Sequence, residues 1–356
     1  NATEHTPDAF GMPHTAFVLA KDGNVKIAPG RGAAVTVDKA KKSSNDSNEA
    51  VTFTLQIDVE GNGKWIDHAQ VEVPADGYVC HYLRTDLEGT WMRLVADRDC
   101  VATAYLHQTT SRYADGDAPL NKKLFEQLAD VDAKDAQGAL VYPAKRNRNL
   151  RVITSDNREF EFTKAGFEFQ PVERDAALAK LLHVEPEFTV DDASVIVTYG
   201  GRKLRLPKGP AAFDKPLASG WPRASREVQS ERHLANIHGT FYEVPLVTNG
   251  RPPAWDLLRP VASHRKRITD FCSWNGLLVL AGVRADAVRD DHTFVDDAHE
   301  SALWFGGVDD LWKLGKPVGR GGPWKGTAVQ AGEPSDPYLM TGYDKKTLTL
   351  SADKDA

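Results

Sequence analysis

Short runs of alternating apolar and polar residues recur along most of the chain, separated by turns that contain glycine. Residues 51–58, VTFTLQID, alternate strictly, which is the period of a strand with one buried face. Residues 194–199 and 203–206 are two further runs, joined by Gly200-Gly201, a pair that favours a β-hairpin turn. The pattern predicts an all-β protein.

In the last third of the chain, pairs of such runs recur at intervals of roughly 35–40 residues, close to the length of a propeller blade. They cover residues 233–244, 268–281, 302–314 and 338–351. We therefore expect a β-propeller, either incomplete or seven-bladed in a longer parent. Two runs, residues 120–128 and 175–183, have the apolar spacing of one helix face and predict one or two short helices.

Composition shifts divide the chain into four segments. Residues 1–50 predict propeller strands and a polar linker, and residues 51–110 a small inserted β-sandwich. Residues 111–136 predict a helical linker, and residues 137–356 the remaining blades. The C-terminal TLTLSADKDA resembles the text that precedes the sandwich, so we expect the chain to end just before a second copy of that module.

Composition and charge narrow the function classes. The chain has 356 residues, 41% hydrophobic and 26% charged, which is typical of a folded protein. A net charge of −6 argues against nucleic acid as the main partner. No apolar run reaches the ~18 residues that a membrane span requires. The start at Asn1 suggests a removed leader or a fragment, and a periplasmic or secreted location.

The three cysteines constrain the compartment only weakly. Cys80 and Cys100 fall within the predicted sandwich, where they could form a disulfide, and Cys272 would then remain free. No Cys-x-x-Cys or His-x₃-His spacing is present, so there is no zinc signature.

Residues 205–350 resemble large bacterial propeller proteins of polysaccharide-degrading systems. The resemblance lies in RLPKGPAAFDKPLASGWPRASREVQSERHLANIHGTFYEVP, ITDFCSWNGLLVLAG and LWFGGVDDLWKLGKPVGRGGPW. The layout of VEVPADGYVCHYL and WMRLVADRDCVATAYL is similar to discoidin-type sugar-binding modules. The likeness implies a carbohydrate partner. Other propellers of this setting are lyases and glycosidases in which a histidine near the channel does acid/base work or holds a metal.

Histidines are the main catalytic candidates, because neutral imidazole suits both general-base work near pH 7 and divalent metals. His233, His238 and His264 lie among predicted strands, and Tyr242 is a candidate acid. His5 and His14 repeat the pattern loosely and are candidate ligands for calcium, manganese or zinc. The alternative for each histidine is a hydrogen-bonded structural role. His233 and His238 share a pocket only if the chain turns near Asn236 or Gly239.

Arginines and tryptophans supply the substrate-binding candidates. Arg223, Arg232 and Arg265 suit a sugar carboxylate or sulfate, and surface ion pairs are the alternative. Trp221 and Trp274 are candidates for stacking on sugar rings, and core packing is the alternative.

The sequence thus predicts a carbohydrate-active enzyme for an acidic or sulfated polysaccharide or oligosaccharide, working as a lyase or a glycoside hydrolase. The alternative is a non-catalytic carbohydrate-binding or scaffold propeller. Convergence of several His, Arg and Tyr side chains at one mouth favours the enzyme. A plugged channel with exposed aromatics on the small module favours binding.

Overall fold

The computed structural model describes residues 17–19, 25–27, 49–75, 77–111, 121–134, 138–144, 148–217, 220–228, 232–246 and 253–353. The chain divides into two units, Asn1–Ser44 and Asn45–Ala356. In the first unit β1 (Phe17–Leu19) pairs antiparallel with β2 (Val25–Ile27).

The second unit is built almost entirely of strands. In chain order they are β3 (Val51–Asp58), β4 (Ile66–Val73), β5 (Tyr78–Leu83), β6 (Trp91–Ala96), β7 (Cys100–Thr109), β8 (Ala139–Pro143), β9 (Leu150–Thr154), β10 (Glu159–Phe162), β11 (Phe169–Pro171), β12 (Thr189–Val190), β13 (Val195–Tyr199), β14 (Arg202–Leu206), β15 (Ser225–Val228), β16 (Arg232–Ile237), β17 (Thr240–Val244), β18 (Arg259–Ser263), β19 (Phe271–Trp274), β20 (Leu277–Leu280), β21 (Thr293–Val295), β22 (Ala302–Gly306), β23 (Val318–Val329), β24 (Tyr338–Leu339) and β25 (Lys345–Asp353).

Helices are short and few among the residues that are described. The α-helix α1 (Ala176–Leu182) is capped by Asp175, whose carboxylate accepts from the N–H groups of Ala177 and Leu178. The 3-10 helices are Lys122–Phe125, Ala211–Asp214, Trp255–Leu257 and Val308–Lys313. The expected helix at 175–183 is thus confirmed, whereas the run at 120–128 gives only one 3-10 turn in its described part.

Two sheets pack into a sandwich. One has the strand order β12-β13-β14-β24-β6-β3-β4 and the other the order β23-β7-β25-β5. Their inner faces share a core in which Phe53 lies 6.2 Å from Trp324, between ring centroids. Alternation explains the packing, because every second residue of β3 and of β25 is buried.

The sandwich extends beyond residues 51–110, where the sequence analysis placed it. Strand β25 lies between β5 and β7, with Leu350 opposite Val79 on one side and Ala104 on the other. Strand β23 pairs with the free edge of β7. The C-terminal TLTLSAD, which resembles the segment before the sandwich, is therefore itself a strand of the sandwich.

Three four-stranded antiparallel sheets make up the rest of the unit: β8–β11, β15–β18 and β19–β22. The first and third share an aromatic core around Phe162, which contacts Trp274 and Phe305 at 5.6 and 5.1 Å between centroids. The second and third share a core that contains Phe241 and Phe271. The protein is all-β, as expected, and none of the described sheets closes on itself.

The first strands of these three sheets meet at a buried carboxylate. Asp270, just before β19, is fully buried and accepts hydrogen bonds from the N–H of Val141 on β8 (3.0 Å) and from Nε of Arg223, just before β15 (2.7 Å). Arg226 Nη1 on β15 lies 3.2 Å away and donates to the carbonyl oxygens of Val141 and Phe271. One carboxylate thus ties three sheets together, and we call this group the Asp270 hub.

Glycine-containing turns close the hairpins as the sequence predicts. Gly200 and Gly201 have φ values of 57° and 77°, and Asn275 and Gly276 have 47° and 89°. These are the left-handed conformations that a type I′ turn requires.

Candidate functional site

His238 occupies a hairpin turn rather than a strand. With φ of 50° and Gly239 at 79°, it turns the chain between β16 and β17, so it does not lie on the strand of His233. Nδ1 accepts from the N–H of Gly209 (2.9 Å), which leaves Nε2–H to donate to Asp214 Oδ1 (2.9 Å). The side chain has no exposed surface. Burial lowers the pKa of His238, opposed by Asp214. The contacts fix a neutral ring in a structural position.

His264 is held in the same way. Nδ1 accepts from the N–H of Lys266 and Nε2 is 3.0 Å from Asn236 Oδ1. Burial lowers its pKa to about 3. Phe213 lies between the two rings, 5.8 Å from His238 and 6.2 Å from His264, so the structure brings these histidines together around an apolar ring.

The other two catalytic candidates lie apart from that pair. His233 is half-buried on β16, opposite Glu227, and its ring centroid is 6.5 Å from that of Trp255. Burial lowers its pKa, against the charge of Glu227. Tyr242 on β17 is fully buried, and burial raises the pKa of its phenol. A phenol with no exposed surface does not reach a polymeric substrate.

The arginine candidates are spread over the molecule and are paired with acids. Arg223 belongs to the Asp270 hub. Arg232 pairs with Asp309 at 2.6 Å, and Arg265 with Asp132 at 2.6 Å. Arg232 and Arg265 form the surface ion pairs named as the alternative to sugar binding, although with other acids, and Arg223 forms a buried pair that was not expected.

The tryptophan candidates pack inside the protein. Trp221 meets Phe188 edge-on at 5.9 Å between centroids and is partly buried. Trp274 is 5% exposed and donates Nε1–H to the carbonyl of Arg148 (2.7 Å). Trp274 lies in a core and Trp221 packs against one, which is the packing role named as their alternative.

The described residues do not form a metal site. Among them, no three His, Cys, Asp or Glu side chains lie close enough to hold an ion. His5 and His14 lie outside the described residues, so the expectation of calcium, manganese or zinc there stays a prediction. The three cysteines are all free, which makes the expected Cys80–Cys100 pair wrong. Cys80 is exposed and Cys100 is buried, so the thiols lie on opposite faces of their sheet.

A cavity of about 770 Å³ lies beside Arg265 and has balanced charge. Four acidic and four basic side chains line it, and three of the bases are already paired. Arg265 pairs with Asp132, Lys266 with Asp130 at 3.0 Å, and Arg284 with Asp286 at 2.5 Å. Because most of its charged side chains are paired within the cavity, it favours neither an anionic nor a cationic ligand.

A better candidate for a ligand-binding site is the side of the sheet β23-β7-β25-β5 that faces away from the sandwich core. Three tyrosines project from it: Tyr78 and Tyr82 on β5 are 65% and 70% exposed, and Tyr105 on β7 is 44% exposed. We define the outer face by the outward residues of these strands: Tyr78, Cys80, Tyr82, Thr103, Tyr105, His107, Arg320, Thr347, Thr349 and Ser351.

Strand register places these side chains in rows. Thr347 lies opposite Tyr82 on one side and His107 on the other, and His107 lies opposite Arg320. This row crosses four strands, a width of about 14 Å at ~4.8 Å per strand. Tyr78 and Tyr82, four residues apart on β5, are separated by about 13 Å. Aromatic rings therefore lie at both edges of a field of hydroxyl groups.

A cleft of about 350 Å³ opens beside Tyr105. It forms where β23 bulges at Gly321-Gly322, since the pairing with β7 shifts between Gly321 and Trp324. A Cβ at Gly322 would lie 1.7 Å from the carbonyl oxygen of Ala104, so only glycine permits this approach. Trp324 lines the cleft, and so do two cations, Arg320 and Lys325. In sequence, Arg320 comes before the bulge and Lys325 after it.

The cleft has an excess of positive charge. Lys208, Arg320 and Lys325 line it together with a single acid, Asp192. Arg320 and Lys325 are exposed, and neither has an ion-pair partner among the residues that can be described. Burial and the nearby Arg320 guanidinium lower the pKa of His107. Unpaired cations beside exposed aromatic rings suit a ligand with both anionic groups and ring faces.

Lys208 connects the cleft to the buried histidines. Its Nζ donates to the carbonyl of Asp191 (3.0 Å) and lies 3.4 Å from Oδ1 of Asp214, the partner of His238. The Asp214 carboxylate thus lies between a cleft cation and a buried imidazole, and His238 itself does not line the cleft.

Comparison of the chain with models of protein families, with curated proteins and with solved structures found no match.

Proposed function

We propose that the protein binds an acidic or sulfated polysaccharide, with sugar rings on the tyrosines of the outer face and anionic groups in the cleft. The observation that carries the proposal is the juxtaposition of exposed Tyr105 with the unpaired cations Arg320 and Lys325. The whole chain has a net charge of −6, so general attraction to polyanions does not account for such binding.

The layout suits a polymer better than a small ligand. The hydroxyl groups of Thr347, Thr349 and Ser351 lie between the tyrosines and offer donors and acceptors to sugar hydroxyls. The face is open and several sugar units wide, and the cleft lies at one end. A periplasmic or secreted location, where such polymers occur, belongs to the same proposal.

Affinity electrophoresis tests the proposal. Native gels containing dextran sulfate or polygalacturonate should retard the protein, and neutral dextran should not. An exposed charge-assisted contact contributes about 1–1.4 kcal/mol, so Arg320→Gln should weaken binding by about five- to tenfold.

The matched control is Arg265→Gln, which removes another exposed arginine, in the charge-balanced cavity. We expect it to bind as the wild type does. Equal retardation by neutral dextran, or equal loss in the two variants, would contradict the proposal.

A catalytic alternative has one supporting observation, the contact of cleft residue Lys208 with the Asp214–His238 pair. In a lyase, a base removes the C5 proton of a uronate, the C4–O glycosidic bond breaks with protonation of the leaving oxygen, and the new C4=C5 double bond absorbs at about 235 nm. Incubation with polygalacturonate should then raise that absorbance. A flat trace with bound polymer favours the binding protein.

The propeller also stays a proposal. Three four-stranded sheets contribute their first strands to the Asp270 hub, which is how blades meet at the centre of a propeller. The side chains of the hub fill this centre, so the proposed ligand site lies on the sandwich instead.

A further inference from the structure

A further cavity, of about 320 Å³, lies at one end of the sandwich. Its wall consists of the loop before β6, the start of β18 and the turn between β24 and β25. It has no residue in common with the outer face. Its lining is mainly polar, which is unusual for a site next to the hydrophobic core.

Lys346 is the distinctive residue of this cavity. It occupies an inward position of β25, in line with the core residues Leu348 and Leu350, and is only 5% exposed. Its Nζ donates to the carbonyl of Leu87 (3.2 Å). The Lys346 ammonium has three N–H donors, of which this bond uses one. The other two N–H groups have no hydrogen-bond partner among the described groups. Burial lowers the pKa of Lys346, which expresses the cost of holding the charge there.

A second cation points to the same kind of ligand. Arg259, at the start of β18, is exposed and lines the cavity, and no described acid forms an ion pair with it. A guanidinium and a buried ammonium that line one cavity are the donors that an oxyanion prefers.

The acids near Lys346 do not neutralise it equally. Both carboxylate oxygens of Asp344 accept from the N–H of Ser111, at 2.8 and 3.0 Å, and one also accepts from its hydroxyl. These hydrogen bonds hold the carboxylate in place, and its negative charge raises the pKa of Lys346 more than that of Glu88 does. Glu88 is exposed at the same cavity, so both acids compete with an incoming anion for Lys346.

We propose that this cavity binds a small oxyanion, the carboxylate or sulfate group of a ligand no larger than one sugar unit, between Lys346 and Arg259. The cavity volume lies at the lower end of the range for small-molecule sites. The proposal is independent of polysaccharide binding, because the two sites have no residue in common.

Titration calorimetry with sodium glucuronate, sodium sulfate and glucose tests this site. Glucuronate or sulfate should bind and glucose should not. Lys346→Met keeps an unbranched chain in the core and removes the charge, so binding should fall at least tenfold. Lys345→Met is the matched control, because Lys345 is next to it on β25 and points outward.

Two further variants separate a lost ligand contact from a damaged core. Arg259→Gln changes an exposed side chain and should also weaken binding, whereas Glu88→Gln should strengthen it. Arg320→Gln should leave this site unchanged, which distinguishes it from the cleft. No heat with either anion, equal binding of glucose, or unchanged affinity in both Lys346→Met and Arg259→Gln would overturn the proposal.

Discussion

Replacing Asp270 by asparagine should destabilise the protein more than any exposed charge substitution. The carboxylate accepts from Val141 N–H, Phe271 N–H and Arg223 Nε–H, and Arg226 lies 3.2 Å away. An asparagine keeps one acceptor oxygen and leaves two guanidinium groups without a counter-charge. Losing two charged hydrogen bonds costs about 3–6 kcal/mol, in line with about 3–5 kcal/mol for breaking a buried ion pair.

Urea unfolding followed by tryptophan fluorescence measures this loss. Asp286→Asn is the control, since Asp286 forms an exposed pair with Arg284 and its loss should cost at most about 1 kcal/mol. The double variant Arg223→Met with Asp270→Leu should recover part of the stability, because it removes charge on both sides. If Asp270→Asn lowered the free energy of unfolding no more than Asp286→Asn does, the carboxylate would not be the link between the three sheets.

The remaining predictions concern pH, stacking and salt. The pKa of His264 is about 3 in the folded protein and ~6.5 when unfolded, so its contribution is complete above pH 6.5 and declines down to pH 3. His264→Gln should therefore reduce the pH slope of unfolding free energy by about 1.4 kcal/mol per unit between pH 4 and 6, and an unchanged slope would refute the buried neutral ring. Tyr78→Ala and Tyr82→Ala should each weaken dextran sulfate binding about two- to tenfold in affinity electrophoresis, at ~0.5–1.5 kcal/mol per aromatic contact, while Trp312→Ala, which changes an exposed aromatic side chain elsewhere, should not. Raising the salt from low to high concentration should weaken this binding, because exposed charges are screened, and salt-independent retardation would argue against the cleft cations.

Local patterns predicted the strands well, because alternation and turn glycines act between neighbours in sequence. The Gly200-Gly201 hairpin and the buried alternation of Val51–Asp58 are examples. The insertion of β25 between β5 and β7 was not visible, because it pairs residues more than two hundred positions apart. Its alternating pattern showed a strand with one buried face and did not identify the partner.

The site was harder to predict than the fold. Histidines were the predicted catalytic residues because imidazole suits acid/base chemistry and metal binding. In the structure, His238 and His264 instead accept hydrogen bonds from backbone N–H groups and stabilise turns in the core. Tyr105 and Arg320 meet only because β7 pairs with β23, and no sequence spacing indicates this. One sequence signal for the outer face was present. Tyr78, Cys80 and Tyr82 alternate with the inward residues of β5, and the hydroxyl residues of β25 alternate with the inward residues of that strand.

Cys80 offers the most direct test of the polysaccharide face, because it lies on that face between Tyr78 and Tyr82. It is the exposed thiol of the three cysteines, and burial raises the pKa of Cys100 to about 11 and that of Cys272 to about 12. Iodoacetamide, a neutral reagent, should therefore modify Cys80 alone, as loss of the reaction in Cys80→Ser would verify. Saturating dextran sulfate should slow this modification several-fold, and neutral dextran should leave it unchanged. An unchanged rate with bound dextran sulfate would place the polymer elsewhere and contradict the proposed site.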